Sequence, residues 1–195
     1  MSIILTHAYY LFEDDKEQKI MKPYPPLGLL YISGYLDQHN VTNHVYDATF
    51  YSYKEQLKFI KQKQPKAGAH FLIIGEGEET TLELYEAIAN NASVEHIFGV
   101  AYLKDGKVVK TPPRIKMKDL SELPLPNRAA IPIGQYLKTW KDFHGKSSMT
   151  VSTQRGCPYT CKWCSTAVYG QSYRRRPADL VAQELKGLKD TYNPD

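Results

Sequence analysis

A chain of 195 residues can build one large hydrophobic core or two smaller ones. Hydrophobic residues make up 42% of it, charged residues 24%, and the net charge is +4, a composition that excludes disordered, collagenous and membrane-embedded proteins. This mild charge is no strong nucleic-acid signal. No apolar run reaches the roughly 20 residues that span a bilayer, and the N-terminus carries no secretory pattern. We therefore predict a cytoplasmic protein without a membrane span.

The first part of the chain alternates strand-like and helix-like segments. Residues 2–9 predict a strand and residues 24–40 a helix entered after two prolines. A second strand and a second helix are predicted over residues 41–49 and 53–64. This alternation predicts a parallel sheet with helices on its faces, a Rossmann-like α/β layout.

The next unit, residues 70–91, predicts an apolar strand, a glycine-punctuated turn from Gly75 to Gly77, and a helix. The turn follows the carboxyl end of a strand, where open α/β sheets bind ligands. Glycines also let a backbone approach a large ligand closely. The alternative is a plain strand-to-helix turn, because Glu76 and Glu78 would stabilise a helix start without any ligand.

The second half of the chain begins with a predicted hairpin around Asp105 and Gly106. Residues 111–146 are spaced by prolines and lack a clear period, which predicts a linker along the surface. Residues 147–195 then predict a strand, a cysteine-rich loop and a helix with Pro177 at its first position. We thus divide the chain into residues 1–110, a linker over 111–146, and residues 147–195.

All three cysteines lie within "CPYTCKWC", at Cys157, Cys161 and Cys164. Three buried core cysteines are one interpretation, but such dense spacing is typical of chemistry and of a reducing compartment. The outer two would stand ~23 Å apart along a strand and ~10 Å apart along a helix. A loop curled at Gly156 and Pro158 could gather the three thiolates, which points to a metal.

Two kinds of metal site remain open from the residues alone. A structural zinc would need a fourth ligand, and the nearest histidine, His144, precedes the predicted strand and would lie at its far end. A four-iron cluster on three cysteines would leave one iron without a protein ligand. An open metal position indicates catalysis more than scaffolding.

The cysteine spacing, with Trp163 before the last cysteine, resembles that of the radical SAM superfamily. The resemblance extends along the chain through "KPYPPLGLLYISGYL", "IIGEGEETTLEL", "LPLPNR", "TQRGCPYTCKWCS" and "YRRRPADLVAQEL". In this order they are similar to radical SAM enzymes with an N-terminal cobalamin-binding domain. The resemblance implies a shortened Rossmann-like domain followed by the first β/α unit of a partial (β/α) barrel.

The same resemblance implies the cofactors and their residues. Cys157, Cys161 and Cys164 would bind a 4Fe-4S cluster whose open iron chelates S-adenosyl-L-methionine. An electron donor would reduce the cluster, and the resulting 5′-deoxyadenosyl radical would act on a small-molecule substrate whose identity is open. Trp163 would pack near the adenine or serve as a core aromatic. The proposed cobalamin site is the turn formed by Gly75, Glu76, Gly77 and Glu78.

The arginines Arg174, Arg175 and Arg176 have two interpretations. Their guanidinium groups suit a cofactor carboxylate, an anionic substrate or a phosphate. The alternative is a solvated basic stretch before the last helix.

The chain also departs from that family in two places. The sheet lacks its middle units before the "GEGE" turn, and the barrel stops after one β/α unit, so we interpret the chain as internally shortened and C-terminally truncated. A cobalamin pocket would lack walls, and no Asp-x-His-x-x-Gly motif supplies a histidine ligand to cobalt. We therefore do not expect turnover by this chain alone. The alternative function is a non-enzymatic cysteine–metal module, with zinc or an electron-transfer cluster, attached to an α/β binding domain.

Overall fold

The structure is a computed structural model that describes residues 2–63, 71–162 and 169–195. The described residues form two compact units. The first, here called the parallel-sheet unit, contains residues 2–63, 125–152 and 178–195. The second, the cysteine-loop unit, contains the rest. Both units are discontinuous in sequence, so they differ from the three consecutive segments predicted above.

The described residues contain short strands and helices of 6 to 15 residues, which alternate only in part. The strands are β1 Ile3–Thr6, β2 Asn43–Tyr46, β3 Phe71–Ile73, β4 Val100–Lys104, β5 Lys107–Lys110, β6 Gln154–Arg155 and β7 Arg174–Arg175. The helices are α1 Asp15–Ile20, α2 Leu27–Gln38, α3 Tyr53–Lys63, α4 Glu78–Ala89, α5 Ile133–His144 and α6 Ala178–Tyr192. The predicted α/β class is confirmed. Within the described ranges, none of these helices combines the length and apolarity needed to cross a membrane.

In the parallel-sheet unit, β1 and β2 pair in parallel, from Ile3 opposite Asn43 to Thr6 opposite Tyr46. Helices α1 and α2 lie between them in the chain, so the predicted crossover between parallel strands is present and contains an additional short helix, α1. The carboxyl ends of both strands therefore meet at one edge of the pair.

Strand β3 pairs differently from the prediction. It lies antiparallel to β4, and β4 lies antiparallel to β5, forming a separate three-stranded sheet. The predicted hairpin is present, with positive φ at both Asp105 and Gly106. Alternation of strands and helices indicates the α/β class, but it does not determine which strands become neighbours, because pairing depends on distant segments.

The predicted linker contains regular structure. Helix α5 begins at Ile133 and buries Tyr136, which is 1% exposed. Together with Leu30 and Ile131, these residues form the core of the parallel-sheet unit. The prediction of a surface linker is therefore wrong for α5, because its apolar side chains recur at helical spacing and pack against the unit.

The predicted strand before the cysteine loop is shorter than expected. Only Gln154 and Arg155 form a strand, β6, and their partner is the two-residue strand β7. Residues 145–153 contain no regular strand or helix. Met149 and Val151 are partly buried, as are the polar residues beside them, and Met149 packs against the core of the parallel-sheet unit.

A buried polar network lies just beyond β1 and β2. The Asp47 side chain, 2% exposed, accepts hydrogen bonds from Tyr136 Oη at 2.6 Å and Thr49 N at 3.1 Å, and His7 Nε2 lies 2.9 Å from Asp47 Oδ1. Burial would raise the pKa of Asp47, but the hydrogen bonds from His7, Tyr136 and Thr49 outweigh it and hold that pKa below its ordinary value. The ionised carboxylate thus stabilises this unit.

This network predicts a pH-dependent contribution to stability. Because the pKa of Asp47 is lower in the folded chain than in the unfolded one, its protonation favours unfolding. The stabilisation is full above the ordinary pKa of 3.8 and is lost as the pH falls below it through the folded value. Denaturant titrations of the wild type and Asp47→Asn at pH 7 and in steps below pH 4 measure the effect. The gap between their unfolding free energies should narrow with acid; a constant gap would contradict the assignment.

Candidate cofactor site

The cysteine loop connects β6 and β7, which form a short antiparallel pair. Gln154 of β6 lies opposite Arg175 of β7, and Arg155 lies opposite Arg174. Two residues beyond Arg155, Cys157 forms a parallel bridge with Gln171. Both arms of the loop are therefore held together at their base, just before the first cysteine.

Gly156 lies between the ladder and the first cysteine. Its φ of +80° is in the left-handed region, and a Cβ atom built there would overlap the backbone carbonyl group of Ser172 on the opposite arm. Only glycine allows the two arms to approach this closely. The predicted role of Gly156 in curling the loop agrees with this geometry.

Two of the three predicted metal ligands are described. Cys157 is partly buried, Cys161 is exposed, and both thiols are free of disulfide bonds. Cys164 and Trp163 lie outside the described residues, so the complete sulfur set and the adenine contact stay predictions. Within the described ranges, no three His, Cys, Asp or Glu side chains are grouped to hold a metal. Two free thiols beside a base where the two arms meet fit ligands of an iron–sulfur cluster.

The histidine considered as a fourth zinc ligand has other contacts. His144 Nε2 lies 3.1 Å from the carbonyl oxygen of Ile20 and 3.2 Å from that of Met21. Carbonyl oxygens only accept hydrogen bonds, so this nitrogen carries a proton and is not available to a metal.

The glycine–acid turn lies at the start of α4, in the same unit as the cysteine loop. Gly75 has a φ of +91°, and Gly77 caps the helix. The side chains of Glu76 and Glu78 are only 8% and 5% exposed. At this turn the backbone is accessible, whereas both carboxylates point into the unit.

Each carboxylate of the turn pairs with one arm of the cysteine loop. Arg155 Nη2 donates to Glu78 Oε1, and Arg174 Nη2 lies 2.5 Å from Glu76 Oε1. The backbone of Met117 completes the network: its N–H donates to Glu76 Oε2 at 3.1 Å, and its carbonyl accepts from Arg174 Nη1 at 2.7 Å. The turn is thus tied to both arms of the loop.

The environment of Arg155 favours its charged form. Burial would lower the pKa of its guanidinium group, but Glu78, and then Tyr169 and Glu76, shift that pKa above the ordinary value. The guanidinium also lies over the Tyr169 ring, 5.5 Å from its centroid. Arg155 therefore remains a cation although its side chain is 5% exposed.

The three consecutive arginines have separate environments. Arg174 pairs with Glu76. Arg176 is 6% exposed, and its backbone N–H donates to the carbonyl oxygen of Thr153. The guanidinium group of Arg175 lies over the Tyr173 ring. The interpretation of this stretch as uniformly solvated is wrong, because successive residues of a strand face opposite sides. Sequence reasoning missed Arg155 altogether. Its position beside the cysteine motif was the available signal.

Comparison with curated proteins finds sequence similarity to methyltransferases and cyclases. No protein-family model matches it. It is 32% identical over 122 residues to an uncharacterized methyltransferase of Pyrococcus horikoshii, covering 62% of this chain and 26% of that protein. It is 28% identical over 148 residues to the anaerobic magnesium-protoporphyrin IX monomethyl ester cyclase of Synechocystis sp., covering 76% and 28%. The chain spans about a quarter of the length of these relatives.

Two solved structures share the fold over 97% of this chain. The cobalamin-dependent S-adenosylmethionine radical enzyme OxsB, with aqua-cobalamin and S-adenosylmethionine bound, aligns with a TM-score of 0.72 at 17% identity, over 31% of its length. The radical S-adenosylmethionine methyltransferase TsrM of Kitasatospora setae, with cobalamin and a [4Fe-4S] cluster bound, aligns with a TM-score of 0.66 at 15% identity, over 46% of its length.

Proposed function

We propose that this chain corresponds to part of a cobalamin-dependent radical S-adenosylmethionine enzyme and that its cysteine loop binds a [4Fe-4S] cluster, which the similarity to the relatives and solved structures above supports. The ligands are Cys157, Cys161 and Cys164. The observation that best supports the proposal is the loop base: the arms meet at Gly156 and Ser172, while the Cys157 and Cys161 thiols are free.

The proposed reaction is the reductive cleavage of S-adenosyl-L-methionine. A bound cluster would supply the electron that cleaves S-adenosyl-L-methionine into methionine and a 5′-deoxyadenosyl radical, used for C–H activation or methylation. The protein residues position the reactants. Arg155 and Arg174 hold the two arms of the loop, and Trp163 packs near the adenine. The electron donor and the small-molecule substrate belong to the proposal for the whole enzyme.

Cobalamin binding at the glycine–acid turn is a second part of the proposal. The carboxylates of Glu76 and Glu78 are committed to arginines and are buried, so their side chains do not fit a cobalamin contact. The backbone of Gly75 and Gly77 is partly exposed and fits a close approach by a large ligand. We therefore propose that cobalamin contacts the main chain of Gly75 and Gly77 and not the side chains of Glu76 and Glu78.

Anaerobic reconstitution with iron and sulfide tests the cluster assignment. The wild-type chain should become brown and bind close to four irons per chain, with a spectrum that responds to S-adenosyl-L-methionine. Cys161→Ala should lose most of the iron because it removes one of three ligands. The adjacent exposed Thr160→Ala is the matched control and should bind as the wild type does.

Three outcomes would contradict the proposal. A colourless protein with one zinc per chain would support the alternative of a zinc module. A brown protein whose spectrum ignores S-adenosyl-L-methionine would support an electron-transfer module. Full iron occupancy in Cys161→Ala would refute the ligand assignment itself.

A further inference from the structure

The cysteine-loop unit contains a buried set of ion pairs that the proposed chemistry does not use directly. It joins Glu76 and Glu78 of the glycine–acid turn to Arg155 and Arg174 at the loop base. We propose that these four residues, here called the loop clamp, are positioning residues that set the spacing of the two loop arms and so the placement of the cysteine ligands. This inference rests on the proposed cluster site.

The two arginines are placed to control the loop. They lie directly opposite each other in the β6–β7 ladder, one on each arm. Arg155 immediately precedes Gly156 and stands two residues before Cys157. Any change in the distance between the arginines therefore moves the first cysteine relative to the returning arm.

The two acids lie within three residues of each other at the start of α4. Glu76 lies in the turn and Glu78 is the first residue of α4, so their backbone positions are fixed by one helix start. Each acid pairs with a different arm: Glu78 with Arg155 and Glu76 with Arg174. A longer contact of 3.9 Å joins Arg155 Nη1 to Glu76 Oε2. One support thus holds both arms at once.

Burial makes this arrangement specific. Side-chain exposure is 5% for Arg155 and Glu78, 8% for Glu76 and 11% for Arg174. Two positive and two negative charges balance in a region with little water, so removal of one carboxylate leaves a poorly compensated cation. The Met117 backbone, which donates to Glu76 and accepts from Arg174, closes the Arg174 side of the clamp.

A second set of ion pairs on α4 provides the matched control. Arg114 pairs with Glu79 at 2.7 Å and with Glu83, and it donates to Thr80 Oγ1 at 2.7 Å. Among the described residues, the ion pairs and this hydrogen bond of Arg114 join it to α4 and not to either arm of the cysteine loop. The side chains of Glu79 and Glu83 are 41% and 43% exposed, so Glu83→Gln controls for the loss of an α4 ion pair, and Tyr136→Phe controls for the loss of a buried hydrogen bond. The clamp role predicts that only changes at Glu76 and Glu78 affect the loop.

The first experiment uses the metal-free full chain. Alkylation of each cysteine by iodoacetamide is followed by peptide mass spectrometry in the wild type, Glu78→Gln, Glu76→Gln and Glu83→Gln. We expect the Cys157 rate to rise about tenfold in the two clamp variants, as for an opening equilibrium shifted by about 1.4 kcal/mol. Glu83→Gln should match the wild type. Tyr136→Phe, a destabilising change in the parallel-sheet unit, should also leave the rate unchanged well below its melting temperature.

The second experiment uses the reconstituted chain. Clamp variants should release iron to a chelator about tenfold faster than Glu83→Gln, with an altered electron paramagnetic resonance spectrum of the reduced cluster. Arg155→Lys keeps the charge but loses the planar fork, so its rates should fall between wild type and Glu78→Gln. It also provides a folded variant if the glutamine substitutions do not fold.

The outcomes separate this inference from the proposed function. If the wild type binds no cluster but Glu78→Gln still exposes Cys157, the cluster assignment fails and the clamp stands. If the wild type binds a cluster while clamp and control variants share the same alkylation and iron-release rates, the clamp is overturned.

Discussion

Replacing Glu184 with alanine is expected to lower the free energy of unfolding by about 3–5 kcal/mol, a large share of the roughly 5–15 kcal/mol that stabilises a typical domain. Glu184 of α6 pairs with Arg128 at 2.9 Å, and the side chains are 3% and 5% exposed. Without the carboxylate, the guanidinium group would remain buried with its charge uncompensated. Chemical denaturation of wild type and variant measures the loss.

The control for this prediction is an exposed pair in the same unit. Lys138 and Asp142 lie one turn apart on α5 with side chains 75% and 51% exposed. Asp142→Ala should change stability by less than about 1 kcal/mol. The double substitution Arg128→Met with Glu184→Leu should recover much of the loss, because it removes both buried charges. A loss below about 1 kcal/mol in Glu184→Ala would contradict the assigned role.

Replacing Gly156 with alanine is expected to open the base of the cysteine loop and to abolish most cluster binding. The left-handed backbone alone costs a non-glycine residue roughly 1–2 kcal/mol. In addition, the new Cβ would overlap the backbone of Ser172, which cannot move without separating the two arms. Iron content after reconstitution and the alkylation rate of Cys157 both report this opening.

Gly106→Ala is the matched control for that experiment. Gly106 has a φ of +74°, close to the +80° of Gly156, but a Cβ atom there meets nothing within 4 Å. Gly106→Ala therefore has the energetic cost of a left-handed backbone but no steric overlap of the new Cβ atom. Equal loss of iron in both variants would attribute the effect to backbone strain, and full iron retention in Gly156→Ala would refute the close approach of the arms.

Helix α5 shows a signal that sequence reasoning could have used. Prolines along residues 111–132 suggested a linker, yet Ile133, Tyr136, Leu137 and Trp140 recur at helical spacing directly after them. Ile133, Tyr136 and Leu137 pack in the core with Leu30, and Trp140 contacts Tyr24. By contrast, the partner of β3 had no local signal, because its three residues pair with β4 across an intervening helix.

The spacing of Cys157, Cys161 and Cys164, the permissive Gly156 and the α/β class were determined by the sequence itself, because each depends on residues close together in the chain. The loop clamp was decided only by the tertiary structure. Glu78 and Arg155 are 77 positions apart, as Arg128 and Glu184 are 56 apart. Opposite charges are common along any chain, so the sequence does not show which of them pair. Only the folded structure determines which charged side chains are buried together, and a buried charge is costly unless it is paired.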